Sequence, residues 1–439
     1  VKDTLATVQT VFSWAVKHDL VTENPFVGYE NGNMIRTRSS VFGRLTDLFD
    51  SYLEVAMRRS AFVRMLLVMC CFSVEILHAD ERPAFRTDGD PDDKRPWFQL
   101  VDGEFPPEGS AHYYSGELIN VDHLKRRFVL RADRTDQQNR SHFDLPSGAM
   151  MLPYGSIYYH GAPAALEDIP LGTHLHGLFY VKDPNDQTAP LEGWHNRRSY
   201  EIDFTRCLRL EDDFSFYARQ NQQWRIDELN LDEHKLTATL LQDGKTIGEP
   251  ATFDLQASTR VWQGKAVVTQ SDVATGQLVQ LNMTWATLYG PGRLVELWID
   301  DESRELVKSH QMARHHIYIR QRGLAGWVNA VDNKQRIVTI TFFGGVNPQL
   351  FNEVIKGEQA GIAVSLESLM TYDPVNDRKR GPVLEIKTVP LQPGSSGVQI
   401  QVQPDLLLEG YRPGRIVRVY PGSWPVIALP REEQFFGQD

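Results

Sequence analysis

Two histidines, His174 and His176 in the segment Thr173-His174-Leu175-His176, have the residue type and spacing closest to a chemical site. Side chains two apart on a strand point to the same face, so both imidazoles can converge on one divalent metal ion, the only cofactor the sequence suggests. Such a site needs more ligands. His160, in the preceding Tyr-Tyr-His-Gly-Ala-Pro segment, is the expected third, with Asp168 or His142 as the fourth. The competing reading is a pair of histidines on a solvent face, since a related segment downstream carries Leu278 and Gln280 at the matching places.

The second candidate is aromatic. Tyr154, Tyr158 and Tyr159, with Gly155 and Gly161 close by, form the densest aromatic segment of the main body. Flat rings at a barrel mouth can stack on sugars or bases. The alternative is that they are good strand residues filling a barrel. Arg314-His315-His316 reads as a charged connector between a helix and a strand, and Cys207 as a small hydrophobe. No Walker loop, GxSxG, HExxH or GxGxxG occurs, so no catalytic residue is assigned.

These residues sit in a recurring pattern. GELINVDHLKRRFVL at 116–130, IDELNLDEHKLTATL at 226–240 and GWVNAVDNKQRIVTITF at 326–342 each read as strand, polar turn, strand, with Asp122, Asp232 or Asp332 at the corner. Aspartate suits a corner because its carboxylate accepts backbone N–H bonds. DIPLGTHLHGLF at 168–179 answers DVATGQLVQLNM at 272–283, and a third copy is read at 357–369 around Gly361. CLRLEDDFSFYARQ at 207–220 parallels LWIDDESRELVKSH at 297–310 as strand, acidic turn and short helix. A further G-x-x-V-x-V strand near Gly414 is expected to complete the last unit. Three related units of about 100 residues follow. Antiparallel strands that must hide their edges close into small OB-like or SH3-like barrels, and OB-like is the expectation.

The chain has 439 residues, 41% hydrophobic and 23% charged, with 24 prolines and 32 glycines, values that suit several β-rich domains with many turns. Its formal net charge is -11. Residues 1–79 carry eight basic and eight acidic groups, so the whole excess lies downstream, an unfavourable footprint for phosphate backbones. The other two cysteines, Cys70 and Cys71, lie in an apolar run, and neither a disulfide framework nor a zinc motif is present.

The first 80 residues read as two things. Met57 opens a stretch in which Arg58, Arg59 and Arg64 precede apolar residues 65–77 and then Ala79, the order of a secretory signal over 57–79. Upstream, Leu5, Val8, Val11, Phe12, Ala15 and Val16 recur at helical spacing, Asn24-Pro25 stops the helix, and Phe12, Trp14, Ala15, Asn24 and Pro25 form a pattern of an aromatic, a Trp-Ala pair and an Asn-Pro. This segment, about the first 30 residues, resembles the last helix of the core-binding, SAM-like domain of tyrosine recombinases and phage integrases. The resemblance implies a helix that grips DNA, and in that family a separate domain supplies a tyrosine nucleophile with arginine, lysine and His-x-x-Arg partners. No His-x-x-Arg motif exists in the chain. Translation is expected to start at Met57, which would leave 1–56 as a recombinase remnant or an extension of the reading frame.

The expected organisation is a helical segment 1–56, a signal 57–79, a disordered linker 80–113 rich in Asp, Glu, Pro and Gly, and barrel modules at 114–205, 206–310 and 311–439. The expected function is an exported, non-enzymatic binding or scaffold protein of the periplasm or cell surface, meeting a protein or glycan. After signal removal it has no membrane span, and its mature body does not bind nucleic acid. The alternatives are DNA binding linked to recombination through residues 1–56, with a cytoplasmic location, and a metal-binding protein or enzyme using His160, His174 and His176.

Overall fold

The structure, a computed structural model, describes residues 85–86, 94–133, 146–181, 204–284, 292–371, 378–425 and 427–434. The expected helical segment 1–56, the signal 57–79 and His142 lie outside the described residues. None of the described helices is long and apolar enough to cross a membrane.

The fold is mainly β, a tandem of small barrels with connecting helices. In the first barrel, β1 (His112–Asp122) hairpins into β2 (Arg127–Ala132). Then come β3 (Ser147–Tyr159), a short β4 (Ala162–Pro163), β5 (His174–Val181) and β6 (Phe204–Asp212). β1 lies between β2 and β5, β5 pairs β6, and β6 runs parallel to β3, which pairs back on β2. That closes a five-stranded ring in OB-like order. Inward residues include Leu118, Phe128, Leu175, Phe179 and Cys207, the last fully buried. Each large apolar side chain sealed here is worth about 1.5–3 kcal/mol. The chain leaves through α1 (Asp213–Arg219), whose N-cap Asp212 accepts the Ser215 N–H.

The second barrel repeats the plan. β7 (Gln222–Asn230) and β8 (Lys235–Gln242) form its hairpin, with a short β9 (Lys245–Thr246) on the edge. The long third strand is here split into β10 (Ala251–Asp254) and β11 (Arg260–Gln263), and β12 (Ala266–Val268) folds back on the latter. β13 (Leu278–Thr284) and β14 (Arg293–Trp298) finish it, β14 running parallel to both β10 and β11. α2 (Asp301–Arg322) follows, capped by Asp300 and running 22 residues.

The third barrel departs from the first two. β15 (Leu324–Asp332), β16 (Ile337–Phe343), β17 (Gln359–Ser365), β18 (Lys379–Thr388), β19 (Ser395–Val402) and β20 (Ile416–Pro421) close in the order β15-β16-β19-β18-β17-β20. Every pairing in it is antiparallel. The strand near Gly414 does complete it, as β20.

Each barrel begins with a hairpin, and the corner of the second lies at a different residue from the one expected. Asp122 accepts the Lys125 N–H and Asp332 the N–H groups of Lys334 and Gln335. In the second barrel Asn230 does this work, accepting from Glu233, and Asp232 sits two residues further on, exposed in the turn. The carboxamide oxygen of Asn caps a turn as a carboxylate does, which is why the pattern slipped. A bulge three residues before each corner, and a left-handed residue four after it (Arg126, His234, Arg336), confirm the alignment.

The bulge faces a glycine corner in each barrel. Gly172 donates to Leu118 O, Gly276 to Ile226 O and Gly414 to Val328 O, all with φ between 79° and 88°. The third copy of this corner is therefore Gly414 at the start of β20, not Gly361, which lies inside β17. Consequently His176, Gln280 and Arg418 occupy one position, four residues past the glycine, and all three are buried.

Three other expectations change. The boundary expected between 205 and 206 falls inside β6, and that between 310 and 311 inside α2. The described part of the segment expected as a disordered linker is a packed strap, because Phe98, Leu100 and Phe105 supply the apolar area its acidic composition lacks. Phe105 meets Tyr154 of the first barrel and Trp327 and Phe343 of the third, with ring centroids 4.7–6.2 Å apart.

Candidate functional site at the barrel junctions

The structure brings His174 and His176 together, but with partners the sequence did not indicate. Both lie on β5, and Asp213, the first residue of α1, sits beneath them with no exposure. Asp213 Oδ1 is 2.7 Å from His174 Nδ1 and 2.9 Å from His176 Nε2, while Oδ2 accepts the Met283 N–H of the second barrel. His174 Nε2 is 2.6 Å from Asp133 Oδ2 and His176 Nδ1 is 2.6 Å from the Tyr113 hydroxyl. Phe216 stacks on the His176 ring at 3.7 Å.

That pattern fixes the protons. Both nitrogens of His174 face carboxylates, so both donate and the ring is an imidazolium. Burial works against this charge, but Asp213 and Asp133 outweigh it and raise the pKa to about 10. Burial likewise opposes ionisation of Asp213, and His174 and His176 hold it well below the usual carboxylate range. Burial and the neighbouring cation push His176 down, leaving a neutral ring that donates from Nε2 and accepts from Tyr113. His174, His176 and Asp213 are close enough to share an ion. A metal needs imidazole lone pairs, so it would have to displace the protons that His174 and His176 share with Asp213 and Asp133. The cluster is built as a buried ion-pair network tying β5 to α1 and the second barrel.

His160 does not join it. Its ring points into the second barrel, stacked on Tyr159 and 3.2 Å from Glu296 Oε2, while the His160 backbone N–H donates to Asp212 Oδ2. Asp168 is also elsewhere, accepting from Ala165 N and Gln311 Nε2 and lying 2.7 Å from Arg314 Nε. The tyrosines form no stacking platform. Tyr154 is buried against Trp327 and Phe343, Tyr159 lies under His160, and Tyr158 is half-buried in β3.

A cavity of about 110 Å³ lies where the first barrel, α2 and the third barrel meet. α2 lines it with His315, Tyr318, Ile319 and Arg322, part of a buried stripe of unusual polarity that begins at Gln311. His315 is 3% exposed, its Nδ1 has no partner, and burial lowers its pKa to about 4. Arg322 binds Glu433 through both terminal contacts, 2.7 and 2.5 Å.

Two more arginines converge from the barrels. Arg126, at the left-handed corner of the first hairpin, donates to the carbonyls of Leu152, Pro153 and Gly155, and burial draws its pKa down to about 10. Arg418 interrupts the apolar run of β20 and donates to the carbonyls of Arg322 and Leu369. It is 5% exposed, and its Nε has no partner. Two signals in the sequence pointed here. One is an arginine at the centre of an apolar strand, and the other is a polar i, i+4, i+11 stripe on a helix (Gln311, His315, Arg322). No protein-family model matches this chain, and comparison with curated proteins finds no relative.

Proposed function

We propose that this is a non-enzymatic binding protein of the cell envelope, whose barrels frame a ligand site at their junction rather than on their outer faces. The observation that supports binding is the cavity between the first barrel, α2 and the third barrel, lined by Arg126, Arg322 and Arg418, of which, among the described residues, only Arg322 has a carboxylate partner. A buried charge without a counter-ion is costly, and an anionic ligand that meets it recovers that cost. Export rests on the order of charge, apolar run and small residue over 57–79.

Native mass spectrometry of the protein after exposure to a metabolite extract tests the binding reading. Wild type retains a small-molecule adduct, and Ala165→Leu, which fills the cavity wall, loses it. Absence of any adduct from wild type overturns the reading. Export has its own test, because the secreted fraction should begin at Asp80; recovery of peptides from 1–56 in that fraction contradicts it.

A further inference from the structure

We infer that the ligand of this cavity is a small doubly charged oxyanion of the phosphate or sulfate type, an inference that rests on the binding reading above. Three guanidinium groups line the space, and only Arg322 has a carboxylate partner. Of the two acidic residues in the lining, Glu433 is engaged by Arg322 and Glu167 is exposed at the edge. Arg126 and Arg418 hydrogen-bond to backbone carbonyls, which satisfy donors without cancelling charge. Among the described residues no carboxylate pairs with either.

Two cations facing one void repel each other, and an oxyanion between them turns that repulsion into charge-assisted hydrogen bonds. Guanidinium groups are suited to this because their planar donors match oxyanion edges in pairs. Donor capacity remains for the purpose, since a guanidinium carries five N–H groups and the backbone carbonyls take three bonds from Arg126 and two from Arg418. Size narrows the class. At about 110 Å³ the space falls below the roughly 300–1,000 Å³ of pockets that take drug-sized ligands, which sets the ligand at the scale of one ion. Drug-sized organic ligands exceed that scale.

The experiment is thermal unfolding of the full chain in sodium phosphate and sodium sulfate against sodium chloride at matched ionic strength. Phosphate and sulfate raise the wild-type midpoint above chloride in a saturable way. Arg126→Lys, which keeps the charge but loses the planar fork, weakens the apparent affinity about tenfold, and Arg418→Met abolishes the response. Should Arg418→Met not fold, the wild type and Arg126→Lys decide the matter. No difference from chloride, or an equal rise in wild type and variants, overturns the anion. An uncharged adduct retained by both variants in native mass spectrometry also overturns it, while leaving the cavity as a binding site. Wild type with neither adduct nor anion response removes both readings.

Discussion

Asp213 receives two imidazoles and one backbone N–H at a point with no access to water, so any change in its partners is felt in full. His174→Gln leaves that carboxylate buried without a cation and should cost about 3–5 kcal/mol, read by urea unfolding. The pH dependence has a definite sign. The folded pKa of His174, about 10, stands above its ordinary 6.5, so its stabilising contribution is complete below 6.5 and is lost as pH rises through 10. Asp213 is shifted the other way, and its contribution is present above its ordinary 3.8 and is lost as pH falls below it. Wild type should therefore lose stability on the alkaline side over 6.5–10, and His174→Gln should not. Zinc or copper should leave the wild-type midpoint unchanged, because every ring nitrogen of the pair is engaged. A metal-dependent rise that His174→Ala with His176→Ala abolishes would show the network giving way to coordination.

At the scale of elements, the glycine corners and α2 carry the design. Gly276 has φ of 83° and open space around a built Cβ, so Gly276→Ala should cost about 1–3 kcal/mol through backbone strain alone, measured by chemical denaturation. On α2, His315→Leu should stabilise the protein in the absence of anion by about 1 kcal/mol, since it removes an unpartnered buried nitrogen. It should also flatten the fall in stability that wild type shows as pH drops from 6.5 to 4, where the unfolded chain takes up the proton first. The barrels were legible in sequence because corner residues and strand alternation are local. The register slip at Asp232 came from an Asn–Asp pair in one turn, either of which can cap. The real third corner, Pro413-Gly414-Arg415, was hidden because Gly361 also precedes an apolar strand. Which oxygen meets His174 was not legible, since Asp133 and Asp213 are distant in sequence and only barrel closure brings them together. α2 was masked for the opposite reason: its inner stripe is polar, and an apolar period is the signal that sequence reading follows.

Across the whole molecule, the first and third barrels are joined by one apolar cluster in which Leu152, Tyr154, Tyr180 and Leu208 meet Trp327, Phe343 and Ile416, with the strap residue Phe105 wedged among them. Gly345 lets the third barrel approach closely, since a Cβ there would come within 2.6 Å of Ser156 Cβ. Shared burial of this kind makes separate domains unfold together. Trp327→Ala should cost about 3–5 kcal/mol and divide one calorimetric transition into two; a single transition of unchanged shape would show the barrels coupled by other means. Arg126 belongs to the same junction, bonding the 152–155 stretch of β3 and lining the cavity.

The cavity is therefore where residue, element and assembly meet. Its most direct measurement is the anomalous difference map of a crystal grown with selenate, a tetrahedral dianion that diffracts visibly. A selenium peak within hydrogen-bonding reach of both the Arg126 and the Arg418 guanidinium groups is the predicted result. A well-ordered junction holding only water, with the two arginines unmoved, would contradict it.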